Sequence, residues 1–305
     1  MRRVLVVGDL TIDLLFELAG SALHSPTSKA GDLTISYKPI VRVGGSAILF
    51  AKAILARTSL TPVIFSGVGD DVFGAHISEA VSQLGLDVDA VEIVKGYRTA
   101  LAITGYSPDR SRLMLRPEGH AGKHIRGGHW KEWLAEDVAR DCDLLFISGY
   151  VIASASPRQL RAVKGMASWA RSHGVPVMLD LVPHEFDKGV GSLDLAAKLL
   201  GGTPDAFVAE LRTARYLGLV PSKMHDQSEE EQSLAAARSL SAIGRYGLIQ
   251  YQSGRGTYRQ TLAIQGEGVY SHESTFDEAD RTGLGDMLCV EALVEHGCIQ
   301  SSKVR

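Results

Sequence analysis

Seven residues late in this 305-residue sequence could do chemistry: Asp280-Arg281-Thr282-Gly283-Leu284-Gly285-Asp286, followed by the mostly apolar run Met287–Val294. They read as a glycine-punctuated turn opening a helix, with Thr282 as N-cap. Gly283 and Gly285 leave the backbone bare where the helix starts. Unpaired N–H groups and the positive end of the helix dipole then face whatever lies above the turn. That geometry attracts an anion, most commonly phosphate. Asp286 sits in the first turn, where a lone carboxylate would repel a phosphate. It makes sense there if it takes the proton of a hydroxyl that attacks the phosphate. The same residue types also open ordinary helices, so the heptad alone leaves both readings standing.

A turn of this kind needs a framework. Short apolar runs recur at Val4–Gly8, Pro62–Val68, Leu144–Ser148, Val175–Leu179, Ala206–Val208 and Leu248–Tyr251, and read as strands covered on both faces. Helical patterns lie between them at Ser46–Arg57, Val72–Leu84, Trp130–Ala139, Pro157–Ser172, Leu211–Leu217 and Glu229–Ile243. The alternation predicts an α/β fold with a mostly parallel central sheet and helices on both faces. Two stretches interrupt it. Leu14–Val43 carries Gly20, Pro26, Gly31 and Pro39 with no helical pattern, and Ala90–Pro117 reads as strands around a turn at Ser107-Pro108-Asp109-Arg110. Together they predict a small antiparallel β lid. The expected division is a core of residues 1–13, 44–89 and 118–305, and a lid of residues 14–43 and 90–117.

Composition narrows the function classes. The formal net charge is -3, with 45% apolar and 22% charged residues, which gives no polybasic footprint for nucleic acid or an anionic membrane. Cys142, Cys289 and Cys298 form no C-x-x-C pair, so a reduced, cytoplasmic protein is expected. The apolar run after Met1-Arg2-Arg3 ends at Gly8-Asp9, too short for a signal peptide core, and no stretch is long enough to span a bilayer. There is no P-loop and no G-x-S-x-G elbow, and Gly8–Asp13 is not a dinucleotide fingerprint. None of the ten histidines has metal-ligand spacing; His184-Glu185 and His272-Glu273 read as surface pairs, and no metal-ligating residue is assigned.

The order of several weak motifs says more than any one. Gly8–Asp13, Val43-Gly44-Gly45-Ser46-Ala47, Gly67–Gly74, Leu84–Val88, Ile147–Tyr150, Leu179-Asp180 and the heptad 280–286 follow one another along the chain. In that order the sequence resembles the ribokinase-like carbohydrate kinases, the PfkB family, over most of its length. The resemblance implies a doubly wound ribokinase-like fold with its β lid, and ATP and Mg²⁺ as cofactors. It implies phosphorylation of a hydroxyl on a sugar, sugar acid or nucleoside. The small exposed sheet itself suits pairing with its copy, a homodimer through the lid. Carried over by position, Asp286 is the catalytic base, and Gly283, Leu284 and Gly285 supply the anion hole. Asp13, Gly44, Gly45 and Ser46 hold the acceptor, and Ser253, Gly254 and Gly256 contact nucleotide.

The sequence also departs from that pattern. Leu49 stands where the family often places a sugar-contacting Asn. Glu210-Leu211-Arg212-Thr213 occupies the place of N-x-x-E, and Ser253-Gly254-Arg255-Gly256 is one residue shorter than the usual glycine loop. Leu284 replaces a small residue in the anion hole. The family continues with helical sequence walling the adenine site, whereas this sequence ends at Arg305. Two functions therefore compete: a kinase of small hydroxylated substrates, and a non-catalytic relative that keeps the scaffold for binding or regulation.

Overall fold

Central strands with sequences RVLVV, CDLLFIS and AFVAE can be stable only if both of their faces are covered, and that requirement sets the architecture. The computed structural model describes residues 2–17, 38–106, 112–128, 130, 134, 140–153, 155–182, 192–254, 256–275 and 283–299. The first part of the chain forms β1 (Arg3–Val7), β2 (Thr11–Glu17), β3 (Ile40–Gly44), α1 (Ser46–Arg57), β4 (Thr61–Gly69), α2 (Val72–Gln83) and β5 (Val91–Val94). There follow β6 (Ala100–Tyr106), β7 (Arg112–Leu115), β8 (Cys142–Ser148), α3 (Pro157–Ser172), β9 (Val177–Leu181), α4 (Leu193–Leu200) and β10 (Ala206–Glu210). The last are α5 (Leu211–Tyr216), α6 (Glu229–Ile243), β11 (Tyr246–Gly254), β12 (Thr257–Ile264), β13 (Gly268–Thr275) and α7 (Leu284–Glu295).

Nine strands form the large sheet in the order β13-β12-β11-β10-β9-β8-β1-β4-β5. Pairing is parallel from β11 to β5, and β12 and β13 add antiparallel strands at one edge. The alternation of strand side chains divides the core in two. Val4 and Val6 of β1 face α1, α2 and α7, through residues such as Ile48, Phe50, Ile77, Val81 and Val290. Leu5 and Val7 face the other side, where α3, α4, α5 and α6 contribute Val163, Met166, Leu200, Ala214 and Leu240. Phe50 of α1 stacks on Phe146 of β8 with ring centroids 3.8 Å apart. Truncating such a buried ring costs about 3–5 kcal/mol.

The small sheet has the order β3-β2-β6-β7, antiparallel at β3/β2 and β6/β7 and parallel at β2/β6. Ile40 and Val41 on β3 and Leu115 on β7 expose apolar side chains. Two boundaries differ from the sequence reading. Thr11–Asp13, expected in the core, already belongs to β2. Val91–Val94, expected in the lid, pairs with β4 at the edge of the large sheet. The helix Leu193–Leu200 and the hairpin β12–β13 were not foreseen; β13, with the polar sequence GVYSHEST, is the partly exposed antiparallel edge strand, while β12 beside it is buried over Gln260–Ile264. Most of Trp130–Ala139, the turn at 107–110, His184-Glu185, and Asp280, Arg281 and Thr282 lie outside the described residues.

The Gly69-Asp70-Asp71 motif has a structural use. Asp71 N-caps α2 by accepting from the Gly74 N–H (2.9 Å). It also accepts from the Thr99 N–H (2.9 Å) and hydroxyl (2.6 Å). Thr99 leads into β6, so this carboxylate fixes where the small sheet leaves the large one.

Candidate active site

Two helices start at the carboxyl ends of the parallel strands, where open α/β sheets bind their ligands. The first is α1. Gly8, ending β1, lets the start of α1 approach so closely that a Cβ there would lie 2.7 Å from Ser46 Oγ and 2.8 Å from the Ala47 nitrogen. Asp9 takes over the capping role: its carboxylate accepts from the Ser46 N–H (3.0 Å) and from the Ser46 hydroxyl. Its carbonyl accepts from the Ala47 N–H (3.1 Å). Arg116 lies 3.5 Å from the same carboxylate and over the Tyr150 ring, 4.2 Å from its centroid. Burial would raise the Asp9 carboxyl, but Arg116, the Ser46 bonds and His120 outweigh it and hold Asp9 below its ordinary value. Asp9 therefore carries a full negative charge within the site.

The second helix is α7. Gly283, rather than the expected Thr282, is its N-cap, in the left-handed region (φ 82°) that favours glycine, and among the described residues no side chain caps the helix. The first intrahelical bond runs from the Met287 N–H to the Gly283 carbonyl (3.0 Å). The N–H groups of Leu284, Gly285 and Asp286 precede it, the usual state of a helix start. Two buried glutamines tie this turn to the sheet. Gln250 of β11 donates to the Gly285 carbonyl (2.7 Å) and to Gln260 Oε1 (2.6 Å), and Gln260 of β12 donates to the Leu288 carbonyl (3.0 Å). A Cβ on Gly285 would come 2.7 Å from Gln250 Oε1, so this close contact admits no larger residue without displacement.

Both helix starts open into one cavity of about 670 Å³. Of the residues marked in the sequence, Asp13, Gly45, Ser46, Gly283, Gly285 and Asp286 line it together. Asp13, on β2, accepts from the Thr11 hydroxyl at 2.5 Å and lies against the bare Cα of Gly44, where a side chain would collide with its carboxylate. Gly44 and Leu284 themselves do not line the cavity. Ser253, Gly254 and Gly256 do not either; they form the β11–β12 turn just beyond the Gln252–Tyr258 pair, which does. Leu49 also lines it, with its side chain within 3.5 Å of the position a Gly283 Cβ would take. Beyond Asp286 the lining continues through Glu210, Arg212, Arg215 and Tyr258.

The electrostatics single out two carboxyls. Burial, reinforced by the charge on Asp9, raises Asp286 from the ordinary 3.8 to about 7. Burial and then Asp286, Glu210 and Asp9 push Asp180, at the end of β9, well above the ordinary range. Asp13 is also raised, by burial and by Asp9 against the Thr11 bond and two arginines. A carboxyl near 7 at a helix start has the proton affinity that a general base needs at neutral pH. Asp9, Arg116 and the two glutamines had no assigned role in the sequence. The one available signal was an Asp directly after the first strand, placed to meet the Gly-Gly-Ser helix start.

A family model for the pfkB family carbohydrate kinases matches residues 1–289. The chain belongs to that family. No curated protein matches it by sequence. Solved pfkB-type structures share its fold at low identity. Arabidopsis thaliana ribokinase complexed with ribose and ATP is 18% identical (TM-score 0.63), covering 98% of this chain and 89% of that one. A Burkholderia thailandensis nucleoside kinase in complex with inosine is 14% identical (TM-score 0.67; 96% and 84% covered). A PfkB family carbohydrate kinase from Listeria grayi is 18% identical (TM-score 0.67; 97% and 87% covered). Within the pfkB frame, Cys142, Cys289 and Cys298 are free thiols, and no described helix is long and apolar enough to cross a membrane.

Proposed function

We propose that this pfkB family member transfers the γ-phosphoryl group of ATP to a hydroxyl of a sugar, sugar acid or nucleoside, with Asp286 as general base. The supporting observation is that Asp286, raised to about 7, lines the same cavity as Asp13, Gly45 and Ser46. In the reaction the acceptor proton passes to an Asp286 carboxylate oxygen. The acceptor oxygen bonds to phosphorus, and the bond to the ADP oxygen breaks. The N–H groups of Gly283 and Gly285, at the positive end of α7 and both in the cavity wall, receive the charge of the transferring group. Asp13 accepts hydroxyl hydrogens of the acceptor, and the small sheet limits water at the reacting centre.

The donor set suits Mg²⁺, which prefers carboxylate and phosphate oxygen: Asp180 and Glu210 both line the cavity, and Glu210 is among the charges that push the Asp180 carboxyl up. These two would hold the ion, which when bound neutralises charge on the phosphates. The test is ADP release across a panel of sugars, sugar acids and nucleosides. The parent should turn over at least one acceptor, and Asp286→Asn should lose at least ~10²-fold in turnover while keeping its circular dichroism spectrum. Undiminished turnover in that variant would remove Asp286 as the base.

The second reading, a non-catalytic binding or regulatory relative, is favoured by the lining around Glu210. There Arg212 and Arg215 stand in the cavity wall, with Leu211 and Arg212 between Glu210 and Thr213 where N-x-x-E is expected. Acceptor binding without ATP binding would decide for it.

A further inference from the structure

Outside the cavity, the fold gathers three metal-type ligands from two separate parts of the sequence. His272 lies on β13, the edge strand of the large sheet. Glu295 is the last residue of α7, and His296 is the residue that follows it. One ligand atom from each lies within 4.8 Å of the others. His272 Nδ1 is 3.3 Å from Glu295 Oε2, and the two imidazoles meet edge to face with centroids 5.6 Å apart.

From this juxtaposition we infer a binding site for a transition-metal dication of the Zn²⁺ type, formed by His272, Glu295 and His296.

Three observations support the site. The donor set, two imidazoles and a carboxylate, is one that zinc, cobalt and nickel ions take, with water completing the shell. His272 is mostly buried, and its Nε2 has no hydrogen-bond partner among the described residues, an uncompensated donor or acceptor that normally costs stability. Finally, Glu295 and His296 stand at the carboxyl end of α7, where the helix dipole favours a cation.

The site is partly built and partly adaptable. The Tyr270 ring packs on the His296 imidazole with centroids 4.0 Å apart, which limits its rotation. The backbone of His296 is held by its bond to the Ala292 carbonyl (3.1 Å). Glu295 is 61% exposed and can swing inward. Zinc bonds of about 2.0–2.2 Å require ligand atoms closer together than 4.8 Å, a contraction that side-chain rotation supplies. A bound ion would join the sheet edge to the far end of the helix whose first turn carries Asp286.

The test uses the full chain without a histidine tag, stripped with a chelator and desalted. Titration with Co²⁺ should give one equivalent of binding and visible absorption of a low-symmetry, nitrogen-ligated ion, displaced by Zn²⁺. Zn²⁺ in ~100-fold excess over its Kd should raise the thermal midpoint by several degrees. His272→Gln, His296→Gln and Glu295→Gln should each weaken Zn²⁺ binding by about 10-fold or more. If His272→Gln does not fold, the two variants at the helix end carry the test. Zn²⁺ binding that is unchanged in His296→Gln and Glu295→Gln would overturn the site, as would a parent chain that binds neither ion in the micromolar range.

Discussion

At the residue scale, a carboxyl at about 7 makes pH the most direct probe of Asp286. Turnover of an identified acceptor at low substrate should rise with pH through an inflection near 7, as Asp286 loses its proton. Because Asp9 contributes to that elevation, Asp9→Asn should move the inflection downward while Asn Oδ1 still accepts from Ser46. An inflection that stays in place would show that burial alone sets it. The same shift enters stability. Between about pH 4 and 7 the unfolded chain ionises this group while the folded protein keeps it protonated, so stability falls as pH rises through that window. Asp286→Asn removes the penalty. It should be more stable than the parent at pH 8 by about 1–3 kcal/mol, with the difference vanishing near pH 4, as read by thermal melts at the two pH values.

At the element scale, α7 is held at its active end by side-chain amides. Gln260→Leu leaves the Leu288 carbonyl and the Gln250 amide short of partners inside the protein, at a cost of about 1–3 kcal/mol. Its functional signature should be a fall in kcat larger than any rise in acceptor KM, since the acceptor side of the cavity is built from β2 and the start of α1. A pure stability loss with unchanged kcat would limit the glutamines to packing. The two helix starts differ in a telling way: α1 is capped from a distant strand by Asp9, whereas α7 leaves its first N–H groups to the cavity. Only the second keeps the uncapped start that the proposed anion hole requires.

At the scale of the whole molecule, the cavity spans both sheets, so ligand binding couples them. Saturating a non-hydrolysable ATP analogue with Mg²⁺ at about 100-fold over Kd adds roughly 2.7 kcal/mol, enough to move the thermal midpoint by several degrees. A rise shows that the wall around Glu210, Arg212 and Tyr258 holds nucleotide despite the altered motif. An unchanged midpoint favours the binding-protein reading.

The alternation of apolar strands with 3.6-period helices was legible in the sequence because both periodicities are local, and α1, α3 and α6 fall at the residues their patterns marked. Asp286 and its glycines were legible for the same reason: a helix start carries its own chemistry. The edge hairpin β12–β13 was not, since polar alternation takes its meaning from which face another element covers. Nor were the capping of α1 by Asp9, 37 residues away, the amide bridge from Gln250 and Gln260 to α7, or the meeting of His272 with His296. Each joins groups distant in sequence. Burial and neighbouring charge, which raise Asp286 to about 7, likewise exist only once the chain has closed around them.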